Sequence, residues 1–196
     1  MEILMPNDKI IDEMKLTSAI RDRRIFINEV IDNDISFKTV YFLDRIVALD
    51  NKSNTPIPER QSIEILIDSP GGSINSGLSI ISKVEELKDM GYKIITTNQA
   101  SSASMAFMLL IVGSDRRAYR YSYALAHQPS TWMGGVLQDL EDEVTELRRL
   151  WDLMKMLIMK YTKIPESRLD EVKEKKQDWI LTPSQCLDMG CIDYIM

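Results

Sequence analysis

Histidine is almost missing from this chain: His127 is the only one in 196 residues. Imidazole chemistry is therefore confined to one place, the end of the apolar run Tyr123-Ala124-Leu125-Ala126-His127-Gln128-Pro129. Cysteine is nearly as scarce. Cys186 and Cys191 have no cysteine or histidine neighbours at ligand spacing, which argues against a metal site or a disulfide framework. Both read as reduced thiols in a cytoplasmic setting. No long hydrophobic run is present; the longest, Met105 to Val112, falls short of the roughly 18 residues of a membrane span and reads as a buried helix. The start, Met1-Glu2-Ile3-Leu4-Met5-Pro6-Asn7-Asp8, lacks a basic stretch followed by an apolar one and does not read as a signal peptide. Positive charge is in deficit, and a net charge of −6 argues against nucleic acid as a main partner. Gly77 is followed by Leu78-Ser79 with no lysine, so a phosphate-binding loop is disfavoured. No cofactor and no metal are expected.

The length suits one domain with a sizeable core, preceded by an appendage. Residues 1–20 are mixed in pattern and read as an N-terminal arm, with a single domain over 21–196. Within it, Arg24–Asn28 reads as a strand, Ile35–Leu49 as a helix, Asp50–Pro56 as a polar loop, and Ser62–Ile67 as a strand stopping at Pro70-Gly71-Gly72. A helix over about Ile74–Lys88 closes at Gly91. Lys93–Thr97 is the next strand, a helix opens near Ser104, and Tyr119–Ala126 reads as another strand. Such alternation predicts an α/β fold with a mostly parallel sheet, whose reactive groups gather where strand ends meet helix starts.

Leu140–Tyr161 is different in kind. Leu140, Val144, Leu147, Leu150, Trp151, Met154, Leu157 and Ile158 recur at helical spacing between charges, which predicts a helix roughly 33 Å long. That is too long to pack wholly on a small sheet. Its apolar face, broadened by Leu153, Met156 and Met159, suits an intermolecular contact, with an ordinary core helix as the alternative, and charge at Leu150 or Met154 is expected to split or unfold the assembly.

Four short segments carry chemistry. Asp68-Ser69-Pro70-Gly71-Gly72 ends a strand in a turn that lets a substrate carbonyl come close, with the Gly72 N–H free to face a cleft. Ser101-Ser102-Ala103-Ser104-Met105-Ala106 offers nucleophiles at a helix start, where serines also serve simply as caps. His127 can take and return a proton. Asp178-Trp179-Ile180-Leu181-Thr182-Pro183 joins an acid to a helix start, with Thr182 as cap and Pro183 at the first helical position. Glycine turn, serine, histidine and acid are the components of a serine hydrolase.

In that order they resemble the proteolytic subunit of the Clp protease family over roughly residues 20–196. The resemblance is carried by Arg24-Ile25-Phe26-Ile27, Ile67-Asp68-Ser69-Pro70-Gly71-Gly72, Thr96, Ala103-Ser104-Met105-Ala106-Phe107, Gly113, Arg116, Ser122 and His127-Gln128-Pro129. Asp178, Leu181-Thr182, Gly190 and Asp193 extend it. It departs from the family at Ala100, at the long 50–61 loop, and at Ser130-Thr131-Trp132-Met133-Gly134-Gly135, which marks a divergent member. The resemblance implies a crotonase/Clp-type fold of repeated β-β-α units with a protruding long helix at about 138–162. It also implies a Ser104–His127–Asp178 triad, with the Gly72 and Met105 N–H groups as oxyanion hole. Sliding the match by two residues makes Ser102 the nucleophile; the ungapped spacing from Thr96 and to Gly113 favours Ser104.

By the same resemblance the product is a cytoplasmic serine endopeptidase acting on peptides or unfolded proteins. It forms stacked rings, heptameric and so tetradecameric in all, served by a separate ATPase unfoldase. Two rivals stand beside it: a catalytically silent structural or regulatory ring subunit, and an acyl-coenzyme A hydratase or isomerase relative, which needs no serine–histidine pair.

Overall fold

A computed structural model of the chain describes residues 8–130 and 134–196. The divergent stretch at Thr131–Met133 and the first seven residues of the arm lie outside them.

Seven strands make one sheet. Five run parallel in the order β1-β2-β3-β4-β7: β1 (Arg24–Ile27), β2 (Ile63–Ser69), β3 (Ile94–Ala103), β4 (Asp115–Ala118) and β7 (Tyr194–Ile195). Strand β2 shows why. Ile63, Ile65, Leu66 and Ile67 are all buried, the near-continuous apolar run of a strand covered on both faces. Strand β3 is longer than its apolar stretch predicts. Its first half pairs with β4, and its polar second half, Ser101–Ala103, leaves β4 to pair with β5 (Tyr123–Ala126). Between the halves the register with β2 jumps from Ile67↔Asn98 to Ser69↔Ser102, two extra residues on β3. A bulge of this kind bends the strand and re-aims its end. The Asp68 carboxylate satisfies the bulged backbone, accepting from the Ser101 N–H at 3.1 Å and the Ser101 hydroxyl at 2.9 Å. Strand β6 (Trp179–Leu181) runs antiparallel to β5 and completes this offshoot.

The strand expected over Tyr119–Ala126 is in fact two structures. Tyr119–Ser122 is a turn, closed by the Ser122 hydroxyl on the Tyr119 carbonyl at 2.8 Å, and only β5 is strand. Strand β4 escapes the pattern because Asp115-Arg116-Arg117 has no apolar alternation; its pairing with β3 defines it.

Helices follow the apolar periodicity. α2 (Asn33–Lys52) is capped by Asp32, whose carboxylate accepts from the Ile35 N–H at 2.9 Å, and it buries Ile35, Thr39, Leu43 and Ile46. α3 (Ile74–Asp89) buries Ile80, Ile81, Val84 and Leu87. α4 (Met105–Ile111) is buried on every side, as an all-apolar helix must be. The arm from residue 8 onward forms helix α1 (Asp8–Arg21), which runs one residue into the domain, with Ala19 fully buried in the core. α7 (Pro183–Asp188) opens on the Thr182 cap and Pro183, and Gln185 reciprocates the cap.

The long helix α5 (Leu137–Tyr161) extends about 37 Å. It is two regions in one. Leu150, Trp151, Met154, Leu157 and Ile158 are buried, whereas none of residues 137–149 is. This corrects the placing of Leu150 and Met154 on an intermolecular face: the helical turn directs them into the chain's own core. Its C-terminal end is fastened. Glu85 on α3 accepts from Lys160 at 2.8 Å and from the Tyr161 hydroxyl, and the Arg116 guanidinium donates to the Tyr161 carbonyl at 2.7 Å. The same Arg116 grips Gly190 and Asp193, tying α5 to the closing strand β7. A short helix α6 (Glu166–Glu174), polar or charged apart from buried Leu169 and Val172, leads back towards β6.

Candidate active site

The bulge in β3 delivers Ser104 to a junction between strand and buried helix. Ser104 has φ 56° and ψ −120°, a left-handed conformation that few non-glycine residues adopt. Backbone hydrogen bonds on both sides over-determine it. The Ser104 N–H donates to the Leu125 carbonyl on β5 at 2.8 Å, and its own carbonyl accepts from Phe107 at 3.0 Å at the start of α4. The side chain makes no cap bond to α4, so its hydroxyl is not spent on the helix. Ser104 is half-buried. Ser102, the other candidate, is fully buried within β3 and its hydroxyl has no hydrogen-bond partner among the described residues.

The glycine turn presses against this junction. Gly71 has φ +92°, and a Cβ there would lie 2.7 Å from the Ser104 Cβ and 2.6 Å from the Ala103 carbonyl. Only glycine fits. Sequence reasoning singled out Gly72 and missed this role of its neighbour, for which no local signal exists beyond the Gly-Gly pair. Gly72 forms a parallel bridge with Ile31, whose two bonds use the Gly71 carbonyl and the Ser73 N–H at 2.8 Å each. The Gly72 N–H lies outside that pair of bonds. Met105, first residue of α4, has an N–H with no possible partner within the helix. The Met105 N–H follows Ser104 directly, and Gly72 adjoins the Gly71 that packs against Ser104.

Register brings the other two residues together. Strands β5 and β6 pair Ala124↔Leu181, Leu125↔Ile180 and Ala126↔Trp179. The next step of the ladder sets His127 opposite Asp178. Their side chains approach to 3.7 Å, from His127 Nδ1 to Asp178 Oδ1, an ion-pair distance too long for a hydrogen bond. The imidazole is 28% exposed and the carboxylate 71%. On the other edge of β5, Ala103↔Leu125 aligns the end of β3 with the same strand. Strand β5, which His127 follows, thus lies between the strand that leads to Ser104 and the strand that follows Asp178.

The Clp protease family profile matches residues 9–196 of this chain. The chain belongs to the Clp protease family. It is 27% identical over 179 residues to the ATP-dependent Clp protease proteolytic subunit of Deinococcus radiodurans, covering 90% of this chain and 81% of that protein. The mixed α/β architecture with its mostly parallel sheet accords with the Clp protease fold, and membership supports a peptidase of the hydrolase class.

Beyond the site, none of the described helices is long and apolar enough to cross a membrane, and no three described His, Cys, Asp or Glu side chains are grouped to hold a metal. Cys186 and Cys191 are buried free thiols; the Cys186 sulfur beside it, and then burial, push the Cys191 thiol up, which keeps it protonated and inert.

Proposed function

We propose that this Clp protease family chain is a serine endopeptidase subunit in which Ser104 is the nucleophile, His127 the general base and Asp178 the orienting acid. The observation that carries the reading is the Ser104 conformation. A serine held at positive φ, with its hydroxyl not spent on capping the helix that starts at Met105, is strain maintained by a buried helix and a glycine. Burial of Ser102 supports Ser104 over it.

In the reaction the Ser104 Oγ attacks the peptide carbonyl while His127 takes its proton. The Gly72 and Met105 N–H groups stabilise the oxyanion that forms. Collapse of the tetrahedral species expels the amine, which receives the proton from His127, and leaves an acyl-Ser104 ester. Water, deprotonated by the same imidazole, then attacks that ester and frees Ser104. Asp178 holds the imidazole in the right tautomer and stabilises its charged form.

Assembly follows from the exposed half of α5. Val136 and Leu137 are 67% and 72% exposed, an apolar tip on a helix with no buried residue before Leu150, and suited to a second copy of the chain. Stacked heptameric rings built through it would enclose the sites within a cytoplasmic tetradecamer of domains spanning 21–196. The chain offers no nucleotide-binding loop, so ATP-dependent unfolding of substrates falls to a separate ATPase.

A second reading has one observation in its favour. The 3.7 Å gap between His127 and an exposed Asp178 is also what a catalytically silent ring subunit would have. Labelling with a fluorophosphonate, followed by mapping of the modified peptide, separates the two. The label is expected on Ser104, absent from Ser104→Ala and retained in Ser102→Ala. No labelling of an intact assembly would establish the silent subunit.

A further inference from the structure

We propose that a hollow beside His127 is a carboxylate-selecting subsite for the peptide substrate, with Arg148 and Lys173 as its specificity-determining residues; this rests on the peptidase reading above. The hollow has a volume of about 150 Å³. Gln128 and Pro129 form one wall, so it begins a single residue, about 3.8 Å of backbone, beyond the proposed base. The facing wall is one stripe of α5, Val144, Leu147, Arg148 and Trp151, at the i, i+3, i+4 and i+7 spacing of a single helix face. Lys173 of α6 closes it.

The charges around it are unusual for this acidic chain. On α5 and α6 the other cations are all in ion pairs: Arg149 with Glu146, Lys155 with Glu166 and Asp170, Lys160 with Glu85, and Arg168 with Glu171. Arg148 and Lys173 have no such pair among the described residues. Both line this hollow, and no carboxylate lines it with them. Apolar walls with two uncommitted cations and the Gln128 amide suit a group having a short methylene stem and an anionic end. A glutamate side chain has that form. The free C-terminal carboxylate of a peptide offers the same anionic end without the stem, and the test must tell them apart.

The probes are three fluorescein-labelled nonapeptides of Gly, Ala and Ser: one with a central Glu and an amidated C-terminus, one with Gln in its place, and the Gln peptide with a free C-terminus. Binding is measured by fluorescence polarisation to the full-length Ser104→Ala chain, which holds peptides without turning them over. The Glu peptide is expected to bind about tenfold tighter than the amidated Gln peptide at about 50 mM salt, the scale of charge-assisted contacts. Because both cations are exposed, the advantage should shrink towards twofold at about 0.5 M salt. It should vanish when Arg148→Gln and Lys173→Gln are added. A gain confined to the free C-terminus retains the subsite and assigns it to chain ends. Equal binding of all three peptides overturns the proposal. So does a double variant whose sedimentation changes while its Glu-to-Gln ratio does not, which would give the two cations to contacts between copies. Fluorophosphonate labelling of the unsubstituted chain tests the peptidase reading separately, so either idea can fail while the other stands.

Discussion

Ser104 grows out of the most buried part of the molecule, whereas Asp178 stands at its rim. The serine is followed by seven residues of α4 with at most 1% exposure and backed by Gly71; a bulge and a carbonyl bond fix its backbone. The acid precedes a three-residue strand, is 71% exposed, and stops 3.7 Å short of its histidine. Packed interiors hold geometry to within tenths of an ångström, and exposed rims do not. The conformation of Ser104, the proposed nucleophile, is thus built into the single chain, while the 3.7 Å contact between the proposed base and acid leaves room to tighten, as catalytic hydrogen bonds do when substrate binds.

The largest test of this contrast is Asp178→Asn. With a loose contact the amide can leave the imidazole in the wrong tautomer, and turnover should fall by about 10²- to 10⁴-fold, the upper figure being that of a fully engaged triad acid. The melting temperature should not move, since the side chain is exposed. Peptide hydrolysis at the parental rate in intact assemblies would leave a Ser104–His127 dyad.

Gly71→Ala probes the buried side. Its Cβ would meet Ala103 and Ser104 at 2.6 and 2.7 Å, and φ +92° is strained for any side chain. Displacing Ser104 by a fraction of an ångström should slow fluorophosphonate labelling by about 10²-fold, and stability should fall by about 1–3 kcal/mol. Loss of labelling with no loss of stability would mean that Gly71 acts on substrate approach and not on the Ser104 backbone.

How much of this contrast was legible beforehand depends on the element. The helices α2 and α3 and the Thr182 cap are plain in the sequence because their signals are local: apolar spacing, a capping side chain, a proline at the first helical position. Strand β4 is not, because Asp115-Arg116-Arg117 owes its strand form to β3. Helix α6 is hidden by its charge, with only Leu169 and Val172 to mark a buried side. In the site, His127 stands out as the only histidine, whereas the choice of Ser104 over Ser102 and of Asp178 as the acid rests on the family resemblance and not on residue type. The positive φ of Ser104, the two-residue bulge in β3 and the Gly71 contact are tertiary facts, and no window of sequence encodes them.

Within α5 the same opposition of rim and core recurs, and Leu137→Glu against Leu150→Ala separates its halves. Leu137 is 72% exposed and should tolerate charge without loss of fold, while assembly, read by sedimentation, and peptide turnover fall by about tenfold or more if the tip joins copies. Leu150 is 8% exposed, and its truncation should cost about 2–4 kcal/mol of stability. A Leu137→Glu chain with unchanged sedimentation would remove the tip from any interface.

The smallest effect expected is at the fastened end of α5, where the core's hold can be read as a pH dependence. Glu85 is 28% exposed, and burial works to raise its carboxyl, but donation from Lys160, Lys88 at 2.7 Å and the Tyr161 hydroxyl holds it down at about 2. An unfolded glutamate titrates near 4.3. A carboxylate depressed on folding contributes stability that is complete above the unfolded value and disappears as pH falls through the folded one. Glu85 should therefore stabilise the chain fully above about pH 4.5 and progressively less down to about pH 2. Discounted for partial exposure, the contribution is about 1–2 kcal/mol. Glu85→Gln should lose that amount at pH 7 and only a small part of it at pH 2, so denaturation curves of the two chains should converge as pH falls. Asp115, held at about 2 by Arg117 and Lys93, titrates in the same window but is present in both chains and cancels in the difference. Hydrogen exchange should report the same latch as faster exchange at residues 150–161 in Glu85→Gln, with 137–149 unchanged. A constant difference between the two chains from pH 7 to pH 2 would mean that packing of Leu150, Trp151, Met154, Leu157 and Ile158, and not the Glu85 carboxylate, anchors the helix.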